Sequence, residues 1–248
     1  MTTLARQQRQ TGPAILGIEP GLDRSTVRAA GYGEDAASAL VSCAEWVATF
    51  PVRRVRKKSR LEAICPFVQP SIDAGRMKIV AEELFDPESL RSFDNLLRRN
   101  AIRFRDLTNG GDPMLACLVV VVPGVRGSRL LEATHPGRPI KNELMREGIM
   151  VGEFFPSCPF ATTFNPKLFA LRSPAPMYVL RGFIESDWRF IAKVPEWQKT
   201  YRERFGNPGG RMARIGGTWW RWKERVRWRW RAMLSHFERD ASAEGDRG

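Results

Sequence analysis

Four cysteines and two histidines carry most of the soft-ligand and nucleophile chemistry open to this chain. Cys43, Cys65, Cys117 and Cys158 stand singly, with no C-x-x-C pair, which argues against a zinc ribbon and against a thioredoxin-type centre. With only His135 and His236 available, an acid–base or metal site built on histidine has almost no choice of residue. His135 lies in the break His135-Pro136-Gly137-Arg138-Pro139, where a histidine is more often exposed or pocket-lining than in a core. An idle surface histidine and a site histidine both fit that setting. Cys65 and Cys158 each open the same triplet, Cys-Pro-Phe, at 65–67 and 158–160. If the fold gathers both triplets and His135 round one cavity, they belong to a site; if it holds them apart, they are packing.

The elements that must position these residues follow from local pattern. The second triplet falls in the stretch Gly148 to Ile184, which reads as a strand over 149–154, a Pro/Phe connection over 155–173 and a strand over 177–184. An irregular connection of that length is more often functional than idle. Its phenylalanines, Phe155, Phe160, Phe164 and Phe169, cannot all be solvated, so the connection packs on the core, a ligand or a partner. Upstream, a helix is predicted from Asp35 to Phe50-Pro51, with Cys43 as a small buried residue. The basic run 51–60 reads as a solvated edge or, beside a pocket, as a holder of carboxylate or phosphate. The segment 64–70, bracketed by Pro66 and Pro70, is predicted rigid and non-helical.

A strand over 76–84 comes next. Asp86-Pro87 has the form of a helix start, followed by the stripe Leu90, Phe93, Leu96, Leu97 and Phe104. Met114 to Val122, apolar throughout, predicts a central strand buried on both faces. Short helices are predicted around Leu130 and from Pro139 to Glu147, and an amphipathic one over 194–204. The fold class is therefore α+β: a single mixed β-sheet flanked by helices over residues 35–205. Residues 1–34 read as a disordered or extended segment, 206–217 as a Gly-rich linker, 218–239 as an amphipathic basic helix and 240–248 as a disordered tail.

The chain has 248 residues and a net charge of +13, which predicts attraction to something anionic. Much of the signal sits in 218–239, where Trp219, Trp222, Val226, Trp230, Met233 and Phe237 form one helical stripe among arginines. Such a helix suits an anionic membrane interface, or docking on the domain or a protein partner. Nucleic acid comes third, because no reader motif accompanies the Trp/Arg pattern. No run of eighteen apolar residues and no secretory signal is found, so a cytoplasmic protein, peripheral at the inner membrane face through this helix, is expected. Neither G-x-S-x-G, H-E-x-x-H nor a Gly-rich phosphate loop occurs.

Three segments carry a resemblance: CPFVQPSIDAGRMKIV, GIMVGEFFPSCP and NPKLFALRSPAPMYVLRGFIESDWRFI. They resemble an uncharacterised domain-of-unknown-function family of actinobacteria, often found near natural-product genes, with the Gly-Glu-Phe and Arg-Ser-Pro-x-Pro segments as its more specific parts. In layout, Cys65-Pro66-Phe67 followed by Gly75 to Val80 is also similar to the YqcI/YcgG-type family of heme-dependent N-hydroxylases. This second resemblance implies a heme-dependent oxygenase acting on an amino-acid-like or guanidino small molecule. A heme needs an apolar slot, an axial Cys or His and cations for its propionates. His135 or Cys65 would be the ligand and catalytic centre, Phe67, Cys158 and Phe160 the slot, and Arg172 or Arg181 the cation. The reading from another class is a non-catalytic accessory protein held at an anionic surface or partner by its C-terminal helix.

Overall fold

The computed structural model describes residues 13–19, 21–57, 60–109, 112–162, 165–191 and 194–207. The expected Trp/Arg helix at 218–239, its tail and nearly all of the linker lie outside the described residues. The chain divides after Phe183 into two compact units.

In the first unit the chain runs β1 (Leu16–Gly17), α1 (Arg24–Ala29), α2 (Glu34–Thr49), β2 (Arg54–Lys57), β3 (Arg60–Ala63), α3 (Val68–Asp73) and β4 (Met77–Ala81). It continues through α4 (Leu90–Thr108), β5 (Cys117–Val121), α5 (Gly127–Ala133), α6 (Pro139–Arg146), β6 (Ile149–Phe154) and β7 (Met177–Gly182). Five strands make one mixed sheet in the order β1-β4-β5-β7-β6, and β2 with β3 forms a separate hairpin. Only β4 and β5 are parallel, with Met77 opposite Cys117 and Ala81 opposite Val121. The other pairs in the sheet are antiparallel. This is the mixed sheet flanked by helices that the sequence predicts.

Strand side chains alternate between faces, so the unbroken apolar run of β5 must be covered twice. On one face Val80, Leu118, Val120, Tyr178 and Leu180 pack against Phe93, Leu96 and Leu97 of α4 and against Leu130, Ile140 and Leu144 of α5 and α6. On the other, Met77, Ile79, Cys117, Val119 and Val121 meet Val27 of α1 and Leu40, Cys43, Ala44 and Val47 of α2. The Tyr178 hydroxyl, deep in the first layer, donates to Leu130 O at 3.1 Å.

The hairpin β2–β3 falls in the basic run 51–60 and just beyond it, where the sequence predicts no strand, and three further boundaries differ from expectation, each for a local reason. Residues 13–34 are not an irregular segment: β1 pairs with β4, Asp23 Oδ1 caps α1 by accepting from Thr26 N at 2.8 Å, and Val27 is fully buried. One buried valine and a two-residue strand leave no period to read. The segment after Cys65 is helical over 68–73, because Pro70 stands in the first turn, where its missing N–H is no loss. Asp86 starts a turn and no helix, its Oδ1 accepting from Glu88 N and Ser89 N at 3.0 and 3.1 Å, and α4 begins at Leu90.

The second unit opens with a 3-10 turn, Glu185–Asp187, whose Asp187 carboxylate accepts from Ile184 N at 3.0 Å. Helices α7 (Trp188–Ile191) and α8 (Pro195–Phe205) follow. Pro195 takes the first position of α8, and the Tyr201 hydroxyl donates to Glu185 O at 2.8 Å. Among the described residues no helix is long and apolar enough to cross a membrane.

Candidate functional site

In open α/β sheets ligands collect outside the carboxyl ends of parallel strands, where loops diverge and helix N-termini converge. Here the parallel pair β4–β5 ends in such a cleft, of about 520 Å³. Its walls are the first turn of α2 with Asp35, the β4–α4 loop with Glu83, Leu84 and Pro87, and the β5–α5 loop with Pro123 and Val125. Gly124, at φ 76°, supplies the left-handed turn that carries the last wall away from the strand. Leu84, Pro87, Pro123 and Val125 are apolar, while Asp35 and Glu83 are exposed carboxylates with no hydrogen-bond or ion-pair partner among the described residues. Phe85, at the rim between Leu84 and Pro87, is fully exposed.

The cleft is braced from behind by Glu82. Its N–H donates to Val121 O at 2.9 Å, extending the β4–β5 ladder by one residue. Its carboxylate, only 4% exposed, accepts from Arg99, Arg103 and Asn100 of α4. The two loops are also tied to each other: Arg126 Nη2 donates to both Glu88 carboxylate oxygens at 2.9 and 3.0 Å, and Arg129 donates to Glu88 O. Exposed pairs of this kind contribute little stability, but a forked contact fixes geometry. Tyr32 lies close by, its hydroxyl 3.4 Å from Ala81 N, and burial raises its pKa.

The residues expected to form one heme site are not gathered. Cys65 is half-buried beside Cys117, the first residue of β5, which in turn lies opposite Arg181 on β7. Cys158 lies beyond the far end of β6, where its N–H donates to Phe155 O at 3.1 Å. The five residues of β5 separate those ends by about 13 Å. His135 is exposed between α5 and α6, over the opposite face of the sheet from Cys117, and its Nδ1 accepts from Gly137 N at 3.0 Å. Phe67 is half-buried at the N-terminus of α3. Phe160 is half-buried in the 155–176 connection. Arg172 is used within that connection: its Nε donates to Cys158 O at 2.9 Å and its guanidinium lies 3.9 Å over the Phe169 ring. The connection thus packs largely on itself and on the core, with Phe155 fully buried; Phe164 lies outside the described residues. The fold holds the two Cys-Pro-Phe triplets and His135 apart, so they line no common cavity; Cys158 is buried and Cys65 half-buried.

Burial pushes the Cys43 and Cys158 thiols up to about 11 and that of Cys117 to about 12, so these three stay protonated and inert near neutrality. Cys65 is the one cysteine that is not buried. Among the described residues no group of three His, Cys, Asp or Glu side chains is disposed to hold a metal ion.

Asp35 and Glu83 were not evident from the sequence as site residues, since each reads as the local fabric of a helix start or a strand. The available signal was positional: Glu82-Glu83 directly follows one apolar strand, and Pro123-Gly124 directly follows the next.

The sequence model of a family described as Domain of unknown function (DUF6875) matches residues 40–215, and the chain belongs to that family. No curated protein and no solved structure matches it.

Proposed function

We propose that this member of the family binds a small cationic molecule, an amine or guanidinium on an aliphatic or amino-acid-like stem, in the cleft at the carboxyl ends of β4 and β5. The observation that carries this reading is the cleft's charge. In a chain of net charge +13, its two charged lining residues among those described are carboxylates, with no partner among the described residues and no described lysine or arginine beside them. Asp35 and Glu83 would take the cationic head, with Leu84, Pro123 and Val125 along the stem. Calorimetric titration of the full chain with arginine, agmatine and lysine, against uncharged citrulline, tests it. Cationic compounds should bind and citrulline should not, and Asp35→Asn and Glu83→Gln should each raise Kd about tenfold, the loss of one charge-assisted hydrogen bond of about 1.5 kcal/mol. Citrulline binding as tightly as arginine, or tight binding that ignores both substitutions, rules the reading out.

A second reading rests on Cys65, the one cysteine that is not buried, which lies within electrostatic reach of Cys117, the residue opposite Arg181 on β7. Cys65 would be the axial ligand and Arg181 the cation for a propionate; the other residues expected for a heme, those of its apolar slot included, do not join them. Protein prepared from heme-supplied cells should then carry a Soret band that Cys65→Ala abolishes and His135→Ala leaves in place. A colourless preparation removes this reading.

A further inference from the structure

Arg76 holds the least satisfied charge among the described residues. Its Nε and Nη2 are shut off from solvent and have no hydrogen-bond partner. Arg103 and Arg138, also half-buried, have carboxylate partners in Glu82 and Asp94, and Arg129 has Glu132 although its Nε too lacks a hydrogen-bond partner; Arg76 is the residue with two such nitrogens among the described residues. Taking guanidinium donors out of water without a partner is unfavourable, so a side chain held this way is either a stability defect or one half of an interaction.

The identity of the two orphan donors favours the second. Nε–H and one Nη2–H lie in the guanidinium plane along the same edge and point in parallel, the fork that receives two oxygens of a carboxylate or phosphate. The fork is mounted on rigid backbone. Gly75, at φ +63°, closes α3: Gly75 N donates to Ile72 O at 2.8 Å and Arg76 N to Ser71 O at 2.8 Å, a Schellman pair. Arg76 O in turn accepts from Cys117 N at 3.1 Å, which fixes the residue at the amino end of β4. Across β5 at the same sheet end stands Arg181, opposite Cys117, so a second guanidinium adds to the positive potential there.

We infer that Arg76 is the seat of a bound oxyanion, a phosphate or carboxylate group, at the amino end of β4. This is the opposite end of the strand from the cleft, so neither site depends on the other. The anion could be a free small molecule or a lipid headgroup, and the test separates the two. Wild-type full-length protein, Arg76→Met and Arg76→Lys are melted in the absence of added anion and with inorganic phosphate or succinate, and are co-sedimented with phosphatidylcholine vesicles with and without an anionic phospholipid. Without anion, Arg76→Met should melt about 2–4 °C above the wild type, because it removes two buried donors that lack partners while keeping the stem. Phosphate or succinate should raise the wild-type midpoint and leave Arg76→Met unmoved; Arg76→Lys, with charge but no fork, should bind at least tenfold more weakly. A free anion is the ligand if this shift occurs without vesicles, and a headgroup if only the anionic vesicles bind in an Arg76-dependent way. Anion binding and vesicle binding that are both equal in the wild type and Arg76→Met overturn the proposal, as does an Arg76→Met variant less stable than the anion-free wild type.

Discussion

Gly127→Ala is expected to destabilise the first unit by about 3 kcal/mol, the upper end of the overpacking range for one added methyl. An ideal Cβ on Gly127 would fall inside the contact distance of three atoms of the Phe155 ring. That ring is fully buried and cannot swing into solvent. It also cannot shift without moving the connection it begins, since Phe155 N donates to Leu171 O and Phe155 O accepts from Cys158 N, both at 3.1 Å. Urea denaturation followed by far-UV circular dichroism should show the midpoint fall. Limited proteolysis should show new cleavage within 155–176. Phe155→Leu alone should cost less, and the double variant should be more stable than the sum of the singles predicts, because the smaller leucine side chain at position 155 relieves the clash that the methyl added at position 127 creates. A Gly127→Ala midpoint within experimental error of the wild type would mean that the ring is not clamped.

Glu82→Leu is expected to cost about 3–5 kcal/mol, the range for leaving buried charges without their counter-ion. The substitution takes its carboxylate from Arg103, whose side chain is 16% exposed and keeps only the Asn100 Oδ1 at 3.2 Å, and leaves the Nδ2 of the fully buried Asn100 with Leu96 O alone at 3.0 Å. Arg99, half-exposed at 47%, can turn to water, so Arg99→Ala should cost about 1 kcal/mol or less. The order Glu82→Leu, then Arg103→Leu, then Arg99→Ala, read from denaturation midpoints, checks that burial and not the number of ion pairs sets the cost. The same carboxylate anchors the β4–α4 loop, so Glu82→Leu should also lose cleft binding. Glu83→Gln should lose binding with no change in stability, which separates the brace from the site.

Most of the elements were legible because they are written in local periods. The helix Glu34–Thr49, the breaks at His135 and Gly148, and the strands at 149–154 and 177–182 fall where side-chain spacing and turn residues put them. The double-sided burial of 117–121 follows from an apolar run with no polar face. What misled was grammar that more than one structure shares. Asp86-Pro87 opens a turn as readily as a helix, and Pro70 tolerates a first helical turn as well as it breaks a later one. The paired Cys-Pro-Phe triplets left a common cavity and plain packing both open, because triplets carry no information about which end of a sheet they reach.

The sequence by itself determined the longer helices and strands, the α+β class and the position of β5 at the centre, since each depends on interactions within a few residues or on which faces must be buried. Only the tertiary structure decided who meets whom. It set β7 between β5 and β6, which brought Arg181 opposite Cys117 and carried Cys158 to the other end. It laid Phe155 against a glycine 28 positions earlier, gave Glu82 its three donors from α4, and left the Arg76 fork with none. Strand order and register arise from the joint packing of both faces, a sum over distant pairs that no local period encodes.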